Sequence, residues 1–137
     1  MATRIGESPE FGKTWFIDLD GTIFKHNEYL DIKGEVQRPL PHALKFLRSI
    51  PKQDTVVFTT GRKEKYRAYT IRCLKKAKIR FDHLIMGLPR GTRIIINDEK
   101  EDGRKTALGI TVARNGRVSG HRKLSRELHR LVSSGKI

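Results

Sequence analysis

Trp15-Phe16-Ile17-Asp18-Leu19-Asp20-Gly21-Thr22 is the stretch on which the fold turns. A short apolar run bounded by a turn residue reads as a buried strand. This run stops abruptly in two aspartates spaced i, i+2, followed by Gly-Thr. Carboxylates pack poorly at a strand end, but they suit the carboxyl edge of an open parallel sheet, where ligands bind. In extended chain both side chains would lie on one side of the strand. Two close carboxylates repel, so a cation or a proton is needed to hold both. The plainer alternative is a strand that ends in a solvated Asp turn.

Working outward, residues 1–12 lack periodicity and read as a loose N-terminal segment. Lys13 to Asp18 is the first expected strand. Residues 21–40 mix Gly21, Asn27, Gly34 and Pro39 with short apolar pieces, a pattern for a small hairpin or flap. Ala43, Leu44, Phe46 and Leu47 share a helical face that stops near Ile50-Pro51. Thr55 to Thr59 is a β-branched strand, and Lys63 to Lys78 a helix with Tyr66, Thr70, Cys73 and Leu74 inward. Further strands are expected at His83 to Met86, Arg93 to Asp98 and Ile110 to Ala113. Leu124, Leu128, Leu131 and Val132 recur at helical spacing, so residues 119–137 form a basic amphipathic tail helix, facing either the core or an oligomer contact. Strands alternating with helices imply one α/β domain over residues 13–118, a Rossmann-like three-layer arrangement with a mainly parallel sheet.

The bulk numbers narrow the function. The 137 residues suit one domain. No apolar run approaches a membrane span, and no hydrophobic signal region opens the chain. Cys73 is the one cysteine, which excludes an intrachain disulfide and a four-Cys zinc site. It reads as a buried thiol, and the reducing cytoplasm is the expected compartment. Net charge is +14, and residues 1–59 are balanced, so the whole excess lies in residues 60–137. That asymmetry suggests contact with nucleic acid or another polyanion; its alternative is a solvated basic surface. The five histidines show no metal-ligand spacing.

Three expected strands end in polar clusters: Asp18/Asp20, Thr59/Thr60 and Asn97/Asp98. In a parallel sheet these ends gather at one edge. Mg²⁺ takes oxygen ligands and keeps several waters, and Asp18 and Asp98 are candidate carboxylates for it. Such a cation would draw a phosphate into an otherwise negative site. A carboxylate near phosphorus can attack it, and a second can protonate the leaving oxygen.

Asp18-Leu19-Asp20-Gly21-Thr22, Phe58-Thr59-Thr60-Gly61-Arg62 and Ile96-Asn97-Asp98 with Asp102 four residues on resemble, in this order, the motifs of the haloacid dehalogenase superfamily of phosphohydrolases. The likeness runs from about residue 13 to about residue 114. It implies sheet order 5-4-1-2-3, Asp18 as nucleophile, Asp20 as general acid/base and Thr60 as the phosphate-binding hydroxyl. It also implies a magnesium ion held by Asp18, the main-chain carbonyl of Asp20 and Asp98, with Asp102 outside them. Gly61, Arg62 and Arg90 are the expected substrate contacts, Arg62 alternatively making a salt bridge at a helix start. One departure stands out: Met86-Gly87-Leu88-Pro89-Arg90-Gly91 has Leu88 where the family places a lysine. Arg90 is the nearest substitute, ahead of Lys75, Lys76 and Arg93.

Residues 23–59 are consumed by the flap, a helix and a strand, and residues 61–97 by a helix and two strands, so no cap domain is expected. An open mouth admits a bulky substrate or a closing second subunit. The leading expectation is a Mg²⁺-dependent phosphomonoester hydrolase acting through an aspartyl-phosphate, with a nucleic-acid end as the favoured substrate. The alternatives are a phosphatase for small sugar or nucleotide phosphates, and a non-catalytic module that binds nucleic acid or protein.

Overall fold

The computed structural model describes residues 12–27 and 36–115, together with Arg126, His129 and Arg130. Three parallel strands form the sheet: β1 (Thr14–Asp18), β2 (Thr55–Thr59) and β3 (His83–Ile85), in the order β1-β2-β3. Aromatic and β-branched residues dominate the first two, which suits a pleated, half-buried surface. The register sets Asp18 beside Thr59, and Thr59 beside Ile85, so the carboxyl ends of all three strands align.

Two helices make the crossovers. α1 (Pro41–Ser49) opens with proline in its first turn, where a missing N–H costs nothing, and stops at Ile50 before Pro51. A 3₁₀ turn (Glu64–Tyr66) leads into α2 (Arg67–Lys76). Both helices pack on one face of the sheet. There Ala43, Phe46, Tyr69, Cys73 and Leu74 meet Ile17, Val56, Phe58 and Leu84 in a single core. Trp15 joins its margin edge-on to Phe46, 5.7 Å between ring centres, and donates its indole N–H to Asp54. Asp54 is buried, and its second oxygen accepts the Lys13 N–H, so both oxygens are satisfied. Cys73 is fully buried, as expected of a packing thiol.

The C-terminus of α2 closes in a Schellman motif. The Ile79 N–H donates to the Leu74 carbonyl and the Lys78 N–H to that of Lys75. The motif requires a left-handed residue, and Lys78 supplies it at φ 55° where glycine would be unstrained. Lys78→Gly should therefore stabilise the protein by about 1 kcal/mol, read from a higher urea midpoint at unchanged slope.

The opposite face of the sheet differs from the three-layer expectation. Phe16 is 56% exposed and Ile85 44%, and no described helix covers them. The strands expected at Arg93–Asp98 and Ile110–Ala113 are irregular and, apart from half-buried Val112, exposed, which leaves β1 at the sheet edge among the described residues. Ile94, Ile95 and Ile96 are 80%, 54% and 93% exposed. Local bonds hold this segment instead of a ladder. Arg93 donates to the Pro89 and Gly91 carbonyls, Asn97 to the Thr106 hydroxyl, and Thr106 to the Asp98 carbonyl. Side-chain bonds of this kind compete with strand pairing for the backbone. Residues 28–35 of the expected flap and the tail leucines lie outside the described residues. Among those described, no helix is long and apolar enough to cross a membrane.

Candidate functional site

The site is built where β1 stops. The Leu19 carbonyl accepts the N–H groups of Thr22, Ile23 and Phe24 at 2.8–3.1 Å, which curls the chain into a tight turn. Leu19, Ile23 and Phe24 are fully buried and anchor that turn in the core. Gly21 sits at φ 87°, a conformation that favours glycine, and an added Cβ would lie 3.3 Å from the Arg114 side chain. Asn115 ties the turn from outside: its N–H donates to the Gly21 carbonyl and its side-chain oxygen accepts the His26 N–H. Asp18 and Asp20 are thereby displayed on a rigid hook rather than on a solvated loop.

Burial pushes the Asp18 carboxyl above the ordinary value of 3.8. The Leu19 N–H and the charges of Arg93 and His26 pull the other way, while the neighbouring Asp20 adds to the rise. Asp18 is thus a solvent-reachable carboxylate with a raised pKa at the end of an edge strand, and a perturbed pKa is a common property of functional groups.

Asp20 has a different setting. Arg62 grips it with two hydrogen bonds, Nε to Oδ2 at 2.9 Å and Nη2 to Oδ1 at 2.8 Å. The same guanidinium donates to Gln37 Oε1 at 2.6 Å and to Thr70 Oγ1 at 3.1 Å, and lies 5.2 Å from the centre of the Phe24 ring. Its side chain is 3% exposed, against 23% for Asp20. Arg62, one of the residues expected at the substrate, therefore points inward at Asp20.

Thr60 ends β2 beside this pair and is fully buried. Its N–H donates to the Ile85 carbonyl, and its hydroxyl accepts the Arg62 N–H at 3.1 Å. Leu88 and Gly87 close the loop above by donating to the Thr60 and Arg62 carbonyls. Gly61 is exposed at the crest of the turn, and Arg90 is exposed in the loop beyond. The hook and the turn after β2 thus bring Asp18, Asp20, Thr60, Gly61 and Arg62 together.

Asp98 is not brought to them. It is exposed in the irregular segment, and Asp102 there pairs with Arg104, whose N–H draws the Asp102 carboxyl below its usual range. Among the described residues, no three His, Cys, Asp or Glu side chains are grouped to hold a metal. The donor set for Mg²⁺ is accordingly incomplete in this arrangement. Of the two aspartates at the end of β1, Asp20 is gripped by Arg62 and Asp18 is not.

Sequence reasoning missed Gln37 and Thr70 as supports of the site. Nothing in their spacing marks them. For Arg62 the sequence offered a salt bridge only as the alternative to a substrate contact, and did not name Asp20 as its partner.

This is a parallel α/β fold with an acidic site at the carboxyl edge of its first strand. A structural-genomics target from Vibrio cholerae shares the fold at 19% identity and TM-score 0.53, over 90% of this chain and 99% of that one. A chain of a Pnkp1/Rnl/Hen1 complex aligns with 68% of this chain at 24% identity and TM-score 0.48, and this chain spans 33% of its length. No family model matches the sequence. No curated protein matches it either.

Proposed function

We propose that the chain is a phosphomonoester hydrolase of the haloacid dehalogenase type. One observation carries the reading. The register of β1 against β2 sets an exposed Asp18 beside the Thr59-Thr60-Gly61 turn, with a second carboxylate, Asp20, braced two residues on. In this reading an Asp18 oxygen attacks phosphorus and the P–O bond to the leaving alcohol breaks. Asp20 gives that oxygen its proton. Asp20 then takes a proton from water, which attacks the acyl-phosphate, releasing phosphate and restoring Asp18. The N–H of Gly61, at the exposed crest of the turn, is a candidate donor to the phosphoryl oxygens.

The finer reading has Arg93–Asp98 joining the free edge of β1, with Ile110–Ala113 beyond it, in the order 5-4-1-2-3. Three exposed isoleucines and an uncovered β1 edge support it. That placement would carry Asp98 towards Asp18 and complete a set of oxygens suited to Mg²⁺. No step above is drawn through the ion.

For substrate we favour a phosphorylated nucleic-acid end. The net positive charge lies in residues 60–137, and exposed Lys63, Lys75, Lys76 and Lys78 stand on and around α2. The test is release of phosphate from an aryl phosphate and from oligonucleotides phosphorylated at either end, with and without Mg²⁺. Hydrolysis of both classes, with oligonucleotide binding that falls at least about tenfold between 50 and 200 mM salt, is the expected result. Hydrolysis of small sugar phosphates with no salt-sensitive oligonucleotide binding would shift the substrate to that class. Absence of hydrolysis in every arm would leave a binding module.

A further inference from the structure

We propose that Arg62 is a positioning residue for Asp20, and that Gln37 and Thr70 exist in part to aim it; this rests on reading Asp20 as the group that moves the proton. Three separate stretches converge on one guanidinium. Asp20 comes from the turn after β1, Gln37 from the segment before α1, and Thr70 from α2. The Phe24 ring lies against the guanidinium. An arginine held by its fork, two flanking acceptors and a ring has no freedom left to swing.

Stability alone does not account for the arrangement. Withdrawing a guanidinium and a carboxylate from water costs about as much as their attraction returns, and apolar side chains of similar volume do as well. What the pair adds is direction. The two-pronged contact fixes the plane of the Asp20 carboxylate, as a lysine at the same place would not. Each Asp20 oxygen keeps a second lone pair, and the side chain remains 23% exposed, so the carboxylate stays open on one side only. A substrate phosphate has no comparable access to Arg62, whose side chain is 3% exposed.

Arg62→Lys and Thr70→Val separate this role from substrate contact. Arg62→Lys keeps the charge and loses the fork. Thr70 is fully buried and cannot meet substrate, yet it holds Nη1. With an aryl phosphate, Arg62→Lys should lower kcat about a hundredfold and Thr70→Val about tenfold, each with KM within about twofold of wild type. Kinetics on folded material, checked by melting temperature, then decide. Unchanged kcat in both variants, or a loss confined to KM, overturns the proposal. Should Arg62→Lys fail to fold, Thr70→Val carries the same two outcomes. An inactive wild type would overturn the reading of the site instead. Crystal structures of the variants then test the positioning alone: the Asp20 carboxylate should turn by about 1 Å or more, and a carboxylate that keeps its place refutes it.

Discussion

Asp18→Asn should abolish the proposed phosphomonoester hydrolysis and, at neutral pH, raise the melting temperature. Both effects have one origin. Burial makes the charged form of Asp18 unfavourable in the folded chain, and the Leu19 N–H and the Arg93 charge offset this only in part. An amide of the same shape carries no charge and escapes that cost. It also lacks the anionic oxygen needed to attack phosphorus, so turnover should fall by at least about a thousandfold.

The sign with pH follows from the raised native value. Well below the unfolded value of 3.8, Asp18 is protonated in both states and the substitution changes little. As pH rises past it, the unfolded chain gives up its proton first, and wild type loses stability relative to the variant. The advantage of Asp18→Asn should therefore grow upward from about pH 4 and level off once the folded carboxyl has ionised too. Thermal melts across pH 3–8, without added metal, measure it. A variant less stable than wild type at pH 7 would mean that Asp18 holds the fold together rather than being strained by it. Retained hydrolysis would place the nucleophile elsewhere.

The same two aspartates show what could be read from the chain and what could not. β1, β2 and β3 and both helices were legible, because each is specified by its own residues: β-branched and aromatic runs, and an apolar helical face. Asp18 and Asp20 were legible as a pair because no packing role explains them. The inward turn of Arg62 was not, since Asp20 lies 42 positions away and only the β1–β2 register brings them together. Gln37 and Thr70 are ordinary residues until the guanidinium gives them a function. Thr60 was singled out by its motif, while its hydroxyl accepts the Arg62 N–H, a local turn bond that motif spacing does not reveal.

Arg93–Asp98 failed for a different reason, and it leads to the second large expected effect. Ile94-Ile95-Ile96 has every intrinsic mark of a strand, but a strand needs an edge that will accept it. Among the described residues no strand pairs with the outer edge of β1, and an edge strand presents backbone groups open to pairing. Burying one isoleucine is worth about 1.5–3 kcal/mol, so pairing has a strong apolar drive. Electrostatics opposes it. Docking would bring Asp98 towards Asp18, already hard to ionise beside Asp20, and three carboxylates repel. The Thr106 hydroxyl on the Asp98 carbonyl also holds the segment in its local loop. A cation at the strand ends reverses that balance.

Addition of Mg²⁺ with an inert phosphate mimic should therefore slow amide hydrogen exchange across Ile94–Ile96 by about tenfold or more, because a ligand that binds only the paired form draws the chain into it. Asp98→Asn should abolish the slowing, while Glu99→Gln, one residue on and paired with Lys105 at 3.7 Å, should leave it intact. Protection that is already high without the ion would show the strand to be paired by its isoleucines alone. Exchange that stays fast in the ion's presence would leave Asp98 outside the site and confine the chemistry to Asp18 and Asp20. The two outcomes separate a preformed acidic pocket from one that is assembled by its ligand, and only the second makes the repulsion among carboxylates the gate to activity.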